Sequence, residues 1–406
     1  MKDILAKLLK IPLPAQILLT LVAGGLYGYF LPNESAYVTW AGDIFLRALR
    51  MIVAPLILCS IISGVAGLRA SGDGSPMARM GIKTLLYYTV TSLLSILVGL
   101  TLVNLVRPGD GFKSSALHAT SIDVKPLSDT LKEIIPRNVF QALMQDDMLS
   151  IIFFAFLAGA ILLRMKSEQS KTLTDFFQSG FELMMKMTEW IIRFAPLGVF
   201  GIVVAVVSEQ VREGSLMESV ASLGSYMAVV LLGLAIHAFI TLFGILRVYG
   251  GFNPLRHLKA MSSALLMAFS TSSSSATLPL TMDCCEKNGG ISNRTTSFVL
   301  PLGATVNMDG TALYECVATI FIAQASGIEL TIGQQLIVVF TALLASVGAA
   351  GIPMAGLVTI SIILNAVGLP PEGVAIILTV DRFLVIFRTS LNVWSVSCGA
   401  AVISRS

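Results

Sequence analysis

Apolar runs long enough to cross a bilayer recur along this chain, near residues 12–32, 40–68, 81–106, 138–164, 174–207, 219–249, 295–324 and 373–403. A transmembrane helix needs about 20 mostly apolar residues, because only a backbone that satisfies its own hydrogen bonds survives in hydrocarbon. Charged residues make up 13% of the 406 positions, against roughly 25% in soluble domains, so most of the chain faces lipid or packs between membrane helices. The predicted fold class is therefore an all-α polytopic membrane protein with eight transmembrane helices. The basic residues are scattered and the formal charge is only +3, which leaves nucleic acid no electrostatic footprint. Cys59, Cys284, Cys285, Cys316 and Cys398 have no CxxC spacing, so neither a zinc site nor a disulfide framework is expected.

Lys and Arg collect on the cytoplasmic side of membrane proteins. Here they mark the start (Lys2, Lys7, Lys10), the second connection (Arg69, Arg79, Lys83), the fourth (Arg164, Lys166, Lys171), the sixth (Arg247, Arg256, Lys259) and the end (Arg405). Glu34 stands in the first connection, and Glu209, Glu213 and Glu218 in the fifth. Both termini are thus expected inside. The run after Met1–Lys10 lacks a small-residue cleavage site and reads as a first membrane helix, not a removable signal. The lean loops suggest a prokaryotic inner membrane.

Two further stretches, 254–292 and 329–367, are apolar but broken in the middle, by Ser272-Ser273-Ser274-Ser275-Ala276-Thr277-Leu278-Pro279 and by Ser346-Val347-Gly348-Ala349-Ala350-Gly351-Ile352-Pro353. Each reads as a re-entrant hairpin, one from each side. Opposed interruptions of this kind point to inverted repeats with a binding site between them.

The seventh run contains Gly303-Ala304-Thr305-Val306-Asn307-Met308-Asp309-Gly310-Thr311. An Asp at this depth costs about 2.5–3.5 kcal/mol, and the two glycines permit local unwinding that frees carbonyls. Carbonyls beside a carboxylate and an amide suit a hard cation such as Na+; a kink held by neighbouring helices is the plainer alternative. In the third run Tyr88, Thr91 and Ser92 share a face and offer hydroxyls. Helical spacing aligns Asp381, Val385, Arg388, Asn392 and Val396 in the eighth. Arg388 must meet an anion there, either a protein carboxylate (Asp381 or Asp309) or a bound carboxylate substrate. His118, His237 and His257 are isolated in sequence and no nucleophile or metal-ligand motif appears, so an enzyme is not expected. A secondary transporter of a small anion is, with a channel as the competing reading.

Nearly the whole chain, and most strongly the stretch from Ser270 to Asn392, resembles the dicarboxylate/amino acid:cation symporter family, which includes the excitatory amino acid transporters. The motifs are the serine tip ending in Ala276-Thr277-Leu278-Pro279, the run Asn307-Met308-Asp309-Gly310-Thr311-Ala312-Leu313-Tyr314-Glu315, Gly351-Ile352-Pro353, and Arg388-Thr389-Ser390-Leu391-Asn392. The resemblance implies a homotrimer in the lipid bilayer and an elevator mechanism. Scaffold helices would occupy 1–80 and 108–208, and the transport domain 81–107 and 219–406, with hairpins at 254–292 and 329–367. It also implies a dicarboxylate-type substrate, an acidic amino acid or a C4-dicarboxylate, or else a different small organic anion. Arg388 would hold its distal carboxylate and Asn392 and Ser274 its proximal one, with Ser273, Ser275, Thr311, Thr389, Val385 and Gly351 around it. Na+, the coupling ion, would fall at Tyr88, Thr91, Ser92, Asn307 and Asp309, and at Thr305, Ser346 and Val347. No other cofactor is implied. Glu315 would carry a proton.

Two departures stand out. Val385 replaces the family aspartate that holds a substrate ammonium group, and the balancing arginine is missing at Ser272 and Ile386. Val396 replaces another aspartate, which weakens a third Na+ site at Gly303, Asn307 and Asn392 and implies fewer coupled Na+ ions.

Overall fold

The computed structural model describes residues 13–67, 76–112, 135–145, 148–165, 168–348, 355–370 and 373–405. The second hairpin tip with Gly351, the side chain of Val347, His118, and the orientation-marking Lys2, Lys7, Lys10, Arg69 and Lys166 lie outside the described residues. Among the described residues all regular structure is helical. The helices are α1 (Leu13–Phe30), α2 (Ala36–Gly67), α3 (Pro76–Val106), α4 (Val139–Met144), α5 (Met148–Arg164), α6 (Glu168–Ile192), α7 (Ala195–Arg212), α8 (Leu216–Ile236) and α9 (Leu242–Val248). They continue with α10 (Pro254–Thr271), α11 (Ser274–Asp283), α12 (Asn293–Val306), α13 (Asp309–Ala325), α14 (Ile332–Gly348), α15 (Ala355–Ala366) and α16 (Val374–Ser404).

Ala36–Ala66, Met80–Val106, Ala195–Arg212 and Leu216–Val248 are long and apolar enough to cross a membrane, and Ala15–Phe30, Ser150–Arg164 and Ile332–Ser346 are shorter apolar helices. Leu18, Val22, Phe30 and Trp40 turn outward on α1, α2 and the turn between them, where lipid is the natural neighbour of so much exposed apolar surface.

Three expected spans are divided: 138–164 holds α4 and α5, 295–324 holds α12 and α13, and 174–207 is parted as well. The run 174–207 is two helices, α6 and α7, parted at Arg193–Phe194, and α7 continues to Arg212. Pro196 lies in the first turn of α7, where its missing N–H costs nothing; inside a continuous helix it would remove a backbone hydrogen bond and clash with the preceding turn. The 219–249 run stays continuous, but through a π-helical segment, His237–Thr241, between α8 and α9.

The first interrupted stretch folds as a helix–turn–helix. Asn253 caps α10 by accepting from the Leu255 and Arg256 amides at 3.0 and 3.2 Å. At the other end Ser272 takes a left-handed φ of 53°, an uncommon conformation for a residue with a Cβ. Ser273 then caps α11, its Oγ accepting from the Ala276 amide at 3.2 Å. In the second stretch α14 packs on α15.

Packing sorts the helices into two groups. α7 lies against α1 and α2, and α2 against α5 and α6. Gly201 lets α7 approach α2 so closely that a Cβ there would sit 2.6 Å from the Gly42 amide, the small-residue contact that membrane helices favour. The other group is built on α13 and α16: α13 packs on α3, α14, α15 and α16, and α16 also meets α10, α11 and α12. Every residue of α13 from Asp309 to Ala323 is buried, as is every residue of α16 from Leu391 to Ile403.

Candidate functional site

The seventh apolar run does unwind where its glycines allow. α12 ends at Val306, Asn307 (φ −96°, ψ 87°) and Met308 (φ −114°, ψ 53°) are non-helical, and α13 begins at Asp309. Breaking a helix strands carbonyls on one side and amides on the other, and the start of α13 finds partners. The Gly310 amide donates to Asn392 Oδ1 at 2.8 Å, and Ser95 Oγ donates to the Asp309 carbonyl at 2.8 Å. Gly310 is needed for the approach, since a Cβ there would fall 2.6 Å from the Arg388 carbonyl oxygen. A carboxylate in the first turn of α13 also meets the positive end of that helix dipole.

Asp309 is wholly buried and collects donors from three other helices. Its Oδ1 lies 2.6 Å from Ser92 Oγ and 3.3 Å from Thr91 Oγ1. Its Oδ2 accepts from Ser395 Oγ at 2.5 Å and faces His237 Nε2 at 3.1 Å. Asn307 Nδ2 donates to Ser395 Oγ at 2.8 Å, which fixes the amide's other end toward Thr91. Around Thr91 the protons run out. Its Oγ1 is 3.2 Å from the Tyr88 carbonyl, 3.3 Å from Asn307 Oδ1 and 3.3 Å from Asp309 Oδ1, yet a hydroxyl has one proton to give. Oxygens facing oxygens in a buried carboxylate site are what a hard monovalent cation resolves. Among the described residues no cluster of three His, Cys, Asp or Glu exists; the groups around Asp309 are hydroxyls, a carbonyl, an amide oxygen and a carboxylate, the oxygen donors that hard cations prefer.

Arg388, 3% exposed, sits one turn before Asn392 on α16. Its guanidinium lies over the Tyr314 ring at 4.0 Å from the centroid, and Nη1 is 3.3 Å from Asp381 Oδ1. Asp381 also accepts from the Tyr314 hydroxyl at 2.6 Å. Of the two carboxylates open to Arg388 it is thus Asp381 that pairs with it, while Asp309 belongs to the oxygen cluster. The pairing is partial: Nη1 is near Asp381 without hydrogen-bond alignment, and a guanidinium has five N–H bonds in a planar fork. Gly356 of α15 leaves room at this fork, as a Cβ there would come within 2.6 Å of Nη1. A buried fork with donors to spare recognises a carboxylate.

Over residues 13–406 the sequence matches the profile of the sodium:dicarboxylate symporter family. This chain belongs to that family. Its relatives include the proton/sodium-glutamate symport protein of Bacillus caldotenax, 36% identical over 98% of this chain and 94% of that one. Human excitatory amino acid transporter 3 is 35% identical over 92% of this chain and 80% of its own length. The chain is a membrane symporter of a family coupled to Na+.

In this symporter the expected site residues divide by location. Thr91, Ser92, Asn307 and Asp309 come together as described; the Tyr88 hydroxyl donates to the Val299 carbonyl at 2.6 Å and sits against Gly303, where a Cβ would meet it at 2.4 Å. Val396 Cγ1 would lie 2.6 Å from the same Cβ, so an apolar side chain stands beside Gly303. Thr305 and Ser346 donate to carbonyls of their own helices, Leu302 and Leu343, at 3.0 and 2.9 Å, and α12 packs on α14. Asn392 Nδ2 donates to Thr311 Oγ1 at 3.1 Å. Thr389 Oγ1 donates to the Val385 carbonyl at 2.8 Å, and the Val385 side chain is buried. Ser273, Ser274 and Ser275 form the start of α11, which packs on α16; Ser274 is buried and Ser275 exposed. Glu315 is buried in α13, with Oε1 accepting from Thr359 Oγ1 and Oε2 unpartnered.

His237, Ser395, Ser95 and Tyr314 join the site without being among the motifs' expected ligands. Ser395 follows Asn392 by three positions and so lies on the face already marked by Arg388 and Asn392. His237 carries one signal, a polar ring inside an apolar run.

Proposed function

We propose that this symporter moves a small dicarboxylate-type anion together with Na+ across a prokaryotic cytoplasmic membrane, with both termini inside and as a homotrimer. The observation that carries the proposal is the proton-poor oxygen cluster of Tyr88, Thr91, Asn307 and Asp309 within one helix packing of the Arg388 fork: a cation site and an anion site share the α13–α16 contact. Na+ binds at the cluster and, through carbonyls, at Thr305, Ser346 and Val347; a third position at Gly303, Asn307 and Asn392 is weak because Val396 is apolar. Arg388 takes the distal carboxylate. Asn392, Thr311, Thr389, Ser273, Ser274, Ser275 and Gly351 enclose the rest.

The motion is that of an elevator with eight spans and two re-entrant hairpins in inverted repeats. Packing supports this division, since α7 joins α1 to α2 and α2 holds α5 and α6, while α3 and α8 to α15 gather on α13 and α16. Glu315 carries a co-transported proton. Uptake by the Glu315→Gln variant is then expected to lose its pH dependence; a profile parallel to wild type overturns the proton role.

Relatives named for glutamate make an acidic amino acid one cargo. The buried Val385 favours a cargo without an amine, because an ammonium set against a valine has no counter-charge. In proteoliposomes, uptake driven by an inward Na+ gradient should saturate and be inhibited more strongly by succinate than by aspartate. Inhibition by aspartate alone overturns the amine-free reading, and conductance without gradient-driven accumulation overturns symport in favour of a channel.

A further inference from the structure

At the end of the bundle that carries the C-terminus, a cleft of about 440 Å³ is lined by Arg247 of α9, Phe252, Arg256 and His257 of α10, Asn288, and Arg405. Its three guanidinium groups face no carboxylate among the described lining residues. Asp283 and Glu286, the acidic side chains in the segment that leads to Asn288, are engaged elsewhere. Asp283 pairs with Lys287 at 2.6 Å, and Glu286 accepts from Asn293 Nδ2 at 2.9 Å and from Thr296 Oγ1 at 2.5 Å. Arg405 is held over the Phe252 ring, 4.6 Å from its centroid. His257 is 3% exposed, its ring set between Phe252 and Trp394 at centroid distances of 6.0 and 5.4 Å. The cleft also receives the start of α10, whose dipole adds positive potential. Like charges held together without a counter-charge repel one another, and an anion relieves that repulsion. None of these groups belongs to the transport site.

The flanks of the cleft say where it sits. Val248, Tyr249 and Leu255 beside it are 73%, 74% and 68% exposed, an apolar and aromatic rim of the kind found at the level of lipid headgroups. Guanidinium forks match the tetrahedral oxygens of phosphate, and basic pockets between membrane helices accept phosphorylated headgroups.

We infer that this cleft binds a phosphate group, presented by an anionic phospholipid or by free phosphate. Bound there, it links the end of α9, the foot of the first helix–turn–helix and the end of α16.

The full-length protein in phosphatidylcholine nanodiscs, with and without cardiolipin, provides the test. Retention of labelled cardiolipin by wild type should exceed that of the Arg247→Gln, Arg256→Gln, Arg405→Gln triple variant by on the order of 100-fold, the sum of three surface cations. A parallel arm measures the melting temperature in detergent against inorganic phosphate. Arginine-dependent retention of cardiolipin assigns the site to lipid, and an arginine-dependent rise in melting temperature with phosphate alone assigns it to the soluble anion. If neither arm separates variant from wild type, the inference is overturned. The triple variant must match wild type in melting temperature in phosphatidylcholine alone; should it not fold, Arg405→Gln alone is expected to lose about fivefold.

Discussion

The Arg388→Gln variant is expected to lose uptake, its apparent affinity for the anion falling by about 100-fold or more. Truncating one partner of a buried, hydrogen-bonded charge pair costs about 2–5 kcal/mol, and each 1.4 kcal/mol is tenfold. Substrate is not the only group that loses: Asp381, 2% exposed, keeps the Tyr314 hydroxyl but no cation. The variant should therefore also melt earlier, and adding Asp381→Asn should restore the melting temperature without restoring uptake. This cycle separates the two roles of the guanidinium, as the coupling between contacting residues is read from the double variant. Uptake with wild-type affinity in Arg388→Gln overturns the assignment of the anion to this fork.

A second large effect is expected at Asp309. The Asp309→Asn variant replaces an acceptor of four contacts by a group that also donates, while Thr91, Ser92, Ser395 and His237 remain in place. It also removes the only negative charge in the oxygen cluster. Leaving a buried ion without its counter-charge costs about 3 kcal/mol or more, so the Na+ concentration for half-maximal uptake should rise by on the order of 100-fold. Titrating uptake with Na+ at saturating anion measures this directly. An unchanged Na+ dependence places the coupling ion elsewhere in the chain.

Much of this architecture is written in local pattern. Apolar runs mark the helices because lipid leaves the backbone no other partner, and two glycines around Asn307 mark the unwinding because only they make it cheap. The serine tip likewise announces the turn at Ser272. Where the sequence misleads, the deciding contact is either a single residue or a distant one. Pro196 splits the run at 174–207 against a hydropathy that is continuous across it. Arg388 has two carboxylates within plausible reach, and only the packing of Tyr314 against α16 selects Asp381. His237 reaches Asp309 from 72 positions away, and no periodicity within one helix encodes such a meeting.

Asn392 uses both ends of one amide on the first turn of α13, accepting from Gly310 and donating to Thr311. Gly310 adjoins the carboxylate of the cation cluster, and Arg388 lies one turn before Asn392 on its own helix. A single rigid clasp thus spans both sites, and linkage between two ligands is reciprocal. If Na+ raises affinity for the anion, the anion raises affinity for Na+ by the same factor, and the half-loaded forms are then the sparsely populated ones. Slippage, in which either passenger crosses alone, would then be disfavoured by the same few atoms that shape the pocket.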